Sequence, residues 1–414
     1  MTATPWDIEG KWSVSRHGYS DEIRSIMPYA PKKVLIRDIT FREGDDCIGL
    51  RISVPEKLKM LEYAVTKLGI EEVDNGGPSL HQHQFNFARA IKDSGLPVRG
   101  TARFFALTKD YKRDVDIGLE AGSTDFRVVS MQLNDEIFNE QLDKLPEIVE
   151  YIHKCGTTVG IALSDSTRAP LPVFDKYFDA ALAAGADNLN MPDTFGVASP
   201  PVMKFLCERL RKKMPKEMDL VIHMHNTFGL ATANSVACVE GGATQVDGAI
   251  NGYGDEAGNA SMEEIALTLE ALYGIDTGLH LQAFAGYSQM AEEFGKVRCQ
   301  PHKAIIGENA FLRPMVVWHG HDMARESWMM HEALYPECVG MPSHVVFGPE
   351  ASLDPEPIEL KFKELGIKNH TADDIVKVRK AVEAALQEER IIRTPTPYLT
   401  EAQFDDLVKK LFNA

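Results

Sequence analysis

The chain has 414 residues, 44% of them hydrophobic and 25% charged, the proportions of an ordinary soluble globular protein with ample material for a core. Its formal net charge of −17 argues against nucleic acid and anionic membrane as partners, while leaving room for a local basic pocket. No apolar run of about 18 residues is present to span a membrane, and the N-terminus lacks the basic-then-apolar pattern of a signal peptide. The six cysteines are scattered without CxxC spacing and read as reduced, cytoplasmic thiols.

After an N-terminal segment over 1–30, strand-like runs alternate with helical stretches. The predicted strands cover 34–38, 71–75, 98–104, 125–130, 158–163, 188–193, 220–226 and 245–251. Helices are expected between them, for example over 56–69 and 172–185; in the latter Phe174, Tyr177, Phe178, Ala181 and Leu182 share one stripe. Gly69, Gly122, Gly185 and Gly242 stand just past predicted helix ends, where a left-handed cap is expected. Strands joined by crossover helices imply a parallel sheet, and eight such units fit a closed (β/α)8 TIM barrel over 31–280 better than an open doubly wound sheet. The first strand is not followed by a GxGxxG turn, which weighs against a dinucleotide fold. Beyond residue 280 the alternation stops. A helix over 283–297, a Pro- and Gly-containing stretch over 298–356 that includes WHGHD at 318–322, and helices over 373–389 and 401–412 read as a mainly helical C-terminal extension, 281–414.

In such a barrel the active site lies at the carboxyl ends of the strands, and chemically capable residues gather there. The first strand runs into Asp38-Ile39-Thr40-Phe41-Arg42-Glu43-Gly44-Asp45-Asp46, the third ends at Arg103, and the sixth leads to Asp193-Thr194. The seventh carries His223-Met224-His225-Asn226, and the eighth is followed by a glycine-rich loop ending at Asn259. Residues i and i+2 of a strand share a face, so His223 and His225 can converge on one cation at about 2.0–2.1 Å. A carboxylate from another strand mouth completes a two-histidine, one-carboxylate site with open positions; Asp38 and Glu43 both qualify. The carbonyl oxygen of Asn259 is a further candidate ligand. Arg42, always charged and rich in donors, suits an oxyanion, and Thr194 suits a substrate carboxylate. The bland alternatives are core histidines, capped loops, a surface arginine and a helix N-cap network.

These residues resemble the metal-dependent barrels of the DRE-TIM metallolyase superfamily, which include isopropylmalate, homocitrate and citramalate synthases and hydroxymethylglutaryl-CoA lyase. Asp38 to Gly44 looks like D-x-[ST]-[LF]-R-[DE]-G, with Glu43 as in homocitrate synthases. Asn190 to Gly196 resembles N-x-P-D-T-x-G, His223 to Asn226 with Gly229 matches H-x-H-N-x-x-G, and Asn251 to Glu264 is similar to NGxGERxGNxxLEE. Gly307 to Phe311 resembles the GENAF that begins the synthases' C-terminal region. The resemblance implies Glu43, His223 and His225 as ligands of Mg²⁺, Mn²⁺ or Zn²⁺, with Asn259 nearby. It implies chelation of a 2-oxo acid by the metal, Arg42 on the developing alkoxide, and acetyl-CoA as the carbon partner in a Claisen-type condensation. It also implies a homodimer whose C-terminal regions serve neighbouring sites.

The departures lie on the acid–base and acyl-CoA side. Asp46 replaces a glutamine near the substrate, Ser164 a glutamate, and Asp255-Glu256 the loop's Glu-Arg. The family's catalytic histidine after GENAF has no counterpart in Arg313 to Trp318, which leaves His319 and His321 as candidates. Asp46, Arg103 and Thr194 are the expected substrate contacts. A lyase or aldolase cleaving a hydroxy-acid carbon–carbon bond is the second reading, although the loop 252–259 has no cysteine where the thioester-cleaving lyases carry one. A non-catalytic regulatory paralogue and an iron oxygenase are the third and fourth.

Overall fold

The computed structural model describes residues 4–314, 333–342, 344–348, 355–388 and 398–413. The chain divides into two compact units, Ser15–Cys299 and Met1–Val14 with Gln300–Ala414.

The larger unit is a closed parallel barrel of eight strands in sequential order. These are β1 (Leu35–Asp38), β2 (Glu72–Gly76), β3 (Arg99–Phe105), β4 (Asp125–Ser130), β5 (Thr158–Leu163), β6 (Asn188–Asp193), β7 (Asp219–Met224) and β8 (Gln245–Gly248). β8 closes on β1, pairing Asp247 with Arg37. The expected strands are all present. The first strand begins one residue later than expected, and the last two end early: β7 ends at Met224, so His225 lies one residue beyond it, and the eighth gives way after Gly248 to a 3-10 turn over Ile250–Gly252.

Crossover helices cover the barrel: α1 (Thr40–Asp46), α2 (Val54–Tyr63), α3 (Gln82–Ser94), α4 (Tyr111–Ala121), α5 (Asp135–Lys154), α6 (Leu171–Ala183), α7 (Pro200–Arg211), α8 (Ala231–Glu240) and α9 (Met262–Thr268). Gly69, Gly122, Gly185 and Gly242 take positive φ of 86° to 105°, as expected of helix-end glycines free of a Cβ penalty. The apolar core lies between strands and helices. Ile36, Val73, Phe104, Phe126, Val128, Ile161, Leu189, Ile222 and Val246 are buried on the outward strand faces, and Phe174, Tyr177, Phe178 and Ala181 of α6 form the expected buried stripe. Helix α10 (Phe284–Gly295), which the sequence reading counts with the extension, stands in the barrel's unit.

The strand parity that buries those side chains sends their neighbours inward, and the inward set is strongly polar: Arg37, Glu72, Asp74, Arg127, Asn190, Gln245 and Asp247 are all buried. This unusual lumen positions the site.

Among the described residues, the smaller unit holds three α-helices, α11 (Pro355–Glu364), α12 (Ala372–Leu386) and α13 (Glu401–Phe412). It also holds a three-stranded sheet absent from the mainly helical expectation: β9 (Leu312–Pro314), β10 (His344–Phe347) and β11 (Leu399–Thr400). Its core gathers Phe347, Ile358, Phe362, Val378, Val382, Phe404 and Val408, with Phe347 and Phe404 stacked at 3.6 Å. The N-terminal residues join this unit, as Ser13 N donates to Ala333 O and Tyr335 N to Lys11 O.

Candidate active site

Glu43 sits on the short helix α1, which is too brief to be stable by itself. Two tethers fix it. Thr40 Oγ1 accepts from Ile250 N at 2.9 Å, tying its start to the end of β8. The buried Lys57 of α2 donates to Phe41 O at 2.7 Å and pairs with Asp45 at 2.5 Å. Burial lowers the Lys57 pKa, and the Asp45 carboxylate opposes that shift. Asp38, the other carboxylate open as a ligand from sequence, shares the outward face of β1 with Ile36. Its Oδ1 accepts from Thr40 N at 2.8 Å and its Oδ2 from the Tyr287 hydroxyl of α10. Parity therefore turns Asp38 away from the lumen, while the helix turn brings Glu43 into it.

The histidines stay together although only His223 is in the strand. Residues 258–260 pair beside 224–226: Asn226 N donates to Gly258 O and Ala260 N to Met224 O, and His225 bridges Asn259. The ligand atoms of Glu43, His223 and His225 consequently lie within 4.8 Å of one another. His223 Nε2 is 3.2 Å from His225 Nε2 and 3.3 Å from Glu43 Oε1. His223 Nδ1 lies 3.0 Å from Asp247 Oδ2, which assigns the proton to Nδ1 and turns the Nε2 lone pair inward. Burial first, then the neighbouring His223 and the positive charge of Arg42 and Arg103, pushes the His225 pKa down to about 3, so its imidazole is neutral. Two imidazole lone pairs and a carboxylate oxygen thus face one point, and Glu43 Oε1 is buried without a hydrogen-bond partner. Converging acceptors of this kind fit a cation. Arg42 Nη1 is in ion contact with the same oxygen but not in hydrogen-bond geometry. The Asn259 amide closes the cluster, with Nδ2 at 3.2 Å from His223 Nε2 and Oδ1 buried and unpaired. Which amide end faces inward is an assignment, and the opposite one presents an oxygen.

Next to these atoms is a cavity of about 280 Å³, at the small end of ligand sites (roughly 300–1,000 Å³) and suited to a small organic acid. Arg42, Arg103 and Thr194 line it with Glu43, His223 and His225. Thr194 Oγ1 accepts from Asp165 N at 2.8 Å, so its proton is free to donate inward. Asp46 is exposed at the end of α1, 3.5 Å from Arg42, and is not among the lining residues. His319 and His321 lie outside the described residues.

Sequence reasoning passed over Arg127, Phe105, Val129, Met131, Ala162 and Asn190, which also line the cavity. Arg127 joins a buried network centred on Asp247, which takes Arg37 Nε at 2.8 Å, Arg127 Nη2 at 3.1 Å and the His223 ring. The signal was available: 103–105, 127–129–131, 162–164, 190–192–194 and 223–225 are runs of step two, one face of each strand.

A 2-isopropylmalate synthase of Methanocaldococcus jannaschii is 31% identical over 394 residues, covering 92% of this chain and 73% of its own. The homocitrate synthase AksA of the same organism is 28% identical, covering 95% of both chains. Across the first curated relatives the chain spans 66% to 95% of their length. Among solved structures, an HMG-CoA lyase of Bacillus subtilis superposes with a TM-score of 0.56 at 23% identity, over 64% of this chain and 94% of that one, a likeness of fold. No helix of the described residues is long and apolar enough to cross a membrane. With the HMGL-like family model matching residues 33–291 and these motifs assembled at one barrel mouth, the chain belongs to the HMGL-like family.

Proposed function

We propose that the protein is a metal-dependent acyltransferase that condenses an acyl-CoA, acetyl-CoA in the simplest case, with a 2-oxo acid. The observation that carries the reading is the convergence of Glu43, His223 and His225 beside an arginine-lined cavity sized for a small acid. The relatives named as 2-isopropylmalate and homocitrate synthases support it.

Glu43, His223 and His225 would hold the cation, with the Asn259 oxygen as a further donor. A divalent ion so bound supplies Lewis-acid polarisation of a ketone. The chain's own residues do the rest. Asp247 keeps His223 in the ligating tautomer. Thr194 donates to the substrate carboxylate. Arg42 stabilises the alkoxide that forms when the acyl methyl carbon, after losing a proton to a base, attacks the ketone; water then hydrolyses the thioester and frees CoA. Burial and the neighbouring Arg103 lower its pKa only to about 10, so its charge is retained at neutral pH. None of the six cysteines forms a disulfide, which fits a reducing cytoplasm.

The test is a panel of 2-oxo acids with acetyl-CoA and a thiol reagent. Release of free CoA that depends on one 2-oxo acid and on a divalent metal is the expected result. No release with any acid, together with cleavage of a hydroxy acid by the same protein, would replace the condensation with the lyase reading. We further infer a homodimer in which the C-terminal region of one subunit supplies His319 or His321 to the other's barrel. Mixing inactive Glu43→Ala and His319→Ala/His321→Ala proteins should partly restore activity under subunit exchange. Full activity of the double histidine variant, or a monomer in solution, would remove that inference.

A further inference from the structure

The arginines of the cavity differ in how their charge is met. Arg42 contacts Glu43 and lies 3.5 Å from Asp46. Arg127 lies 3.1 Å from Asp247 and 3.8 Å from Asp74. Arg103 has no hydrogen bond or ion pair among the described residues, and its Nε is sealed from solvent without a partner. Asp74 and Asp46 attract it only from beyond ion-pair distance, against the dominant effect of desolvation. A guanidinium does not discharge by losing its proton under ordinary conditions, so a partly buried one with no counter-charge calls for an anion from outside the chain.

Its position says which anion. In the closed ring of eight strands, β3 and β7 stand four places apart, so Arg103 faces the lumen from the side opposite His223. The carboxylate and keto oxygens of a bound 2-oxo acid belong at the Glu43–His223–His225 end. Between the two ends Phe105, Val129, Met131 and Ala162 give an apolar wall, suited to methylene groups. We propose that the 2-oxo acid taken by this site is dicarboxylic, its second carboxylate held by Arg103 across the barrel from the metal ligands. This rests on reading the cavity as a 2-oxo acid site. A monocarboxylic 2-oxo acid with a branched apolar tail would fill the wall but leave Arg103 desolvated and unpaired.

Calorimetric binding to the full-length, Mg²⁺-supplied protein, with no acyl-CoA present, tests the proposal without depending on turnover. The probes are 2-oxoglutarate and oxaloacetate against pyruvate and 3-methyl-2-oxobutanoate. The expected result is tighter binding of a dicarboxylate, a preference lowered roughly 10²-fold by Arg103→Met and partly recovered in Arg103→Lys, which keeps the charge. Equal or tighter binding of a monocarboxylate to the unaltered protein would overturn the proposal and leave the 2-oxo acid reading standing. Binding of none of the four would overturn both. A dicarboxylate preference that survives Arg103→Met would remove Arg103 as its source and overturn the assignment.

Discussion

The two arcs of the barrel mouth are built differently. On the β7–β8–β1 arc, the residues are braced by others, while the ligand-side Glu43 Oε1 and Asn259 Oδ1 are left without hydrogen-bond partners. Asp247 orients His223, residues 258–260 pair with 224–226, and Lys57 pins the helix that carries Glu43. On the β3–β6 arc, single residues project from successive strands, and several end without partners, among them Arg103 Nε and Asn190 Oδ1. Groups that must meet a fixed ion gain from preorganisation. Groups that must meet a substrate stay unsatisfied until it arrives, because an internal partner would compete with it. In the proposed function the first arc serves as a scaffold for a cation and the second as a template for an acid.

Substitutions that cross this division should separate it. The largest effect is expected where the arcs meet. Arg42→Lys keeps a charge but loses the planar donor fork, and turnover should fall roughly 10²–10³-fold while the far-ultraviolet circular dichroism spectrum stays that of the folded protein. Near-normal kcat in a folded Arg42→Lys protein would contradict the role given to Arg42. On the scaffold arc, Asp247→Asn should weaken metal affinity by about 10–100-fold in a direct titration of metal into the chelator-treated protein. A merely structural Asp247 would lower thermal stability and leave affinity as it was. Smallest is Lys57→Met, which removes one buried donor from Phe41 O and Asp45. The expected cost is about 1–3 kcal/mol of stability in a denaturant titration, with a weaker effect on metal affinity than Asp247→Asn. An unchanged midpoint would show that α1 does not depend on that strut.

The same division explains what the sequence made legible. The scaffold arc is written in contiguous runs, Asp38 to Gly44 and His223 to Asn226, because its groups come from one turn or one strand end. The strands and most helices were equally legible, since their periods of 2 and 3.6 are imposed by burial on one face. The template arc comes one side chain at a time from β3, β4, β5 and β6, so Arg127 and Phe105 sit in unremarkable strand sequence and gain meaning only when parity places them in one lumen. The choice between Asp38 and Glu43 was also open to parity, because Asp38 follows Ile36 onto the core face of β1. The three-stranded sheet of the smaller unit was not legible. Leu312–Pro314, His344–Phe347 and Leu399–Thr400 are short, far apart in sequence, and paired only through the fold.

The central claim is that Glu43, His223 and His225 together form one cation site. Its most direct test is metal content and affinity, measured on the purified protein and on the His223→Ala and His225→Ala variants after dialysis against a defined divalent ion. One ion per chain, bound by the unaltered protein and lost from both folded variants, is the predicted result. The same metal content in all three proteins would contradict the claim, whatever their activity.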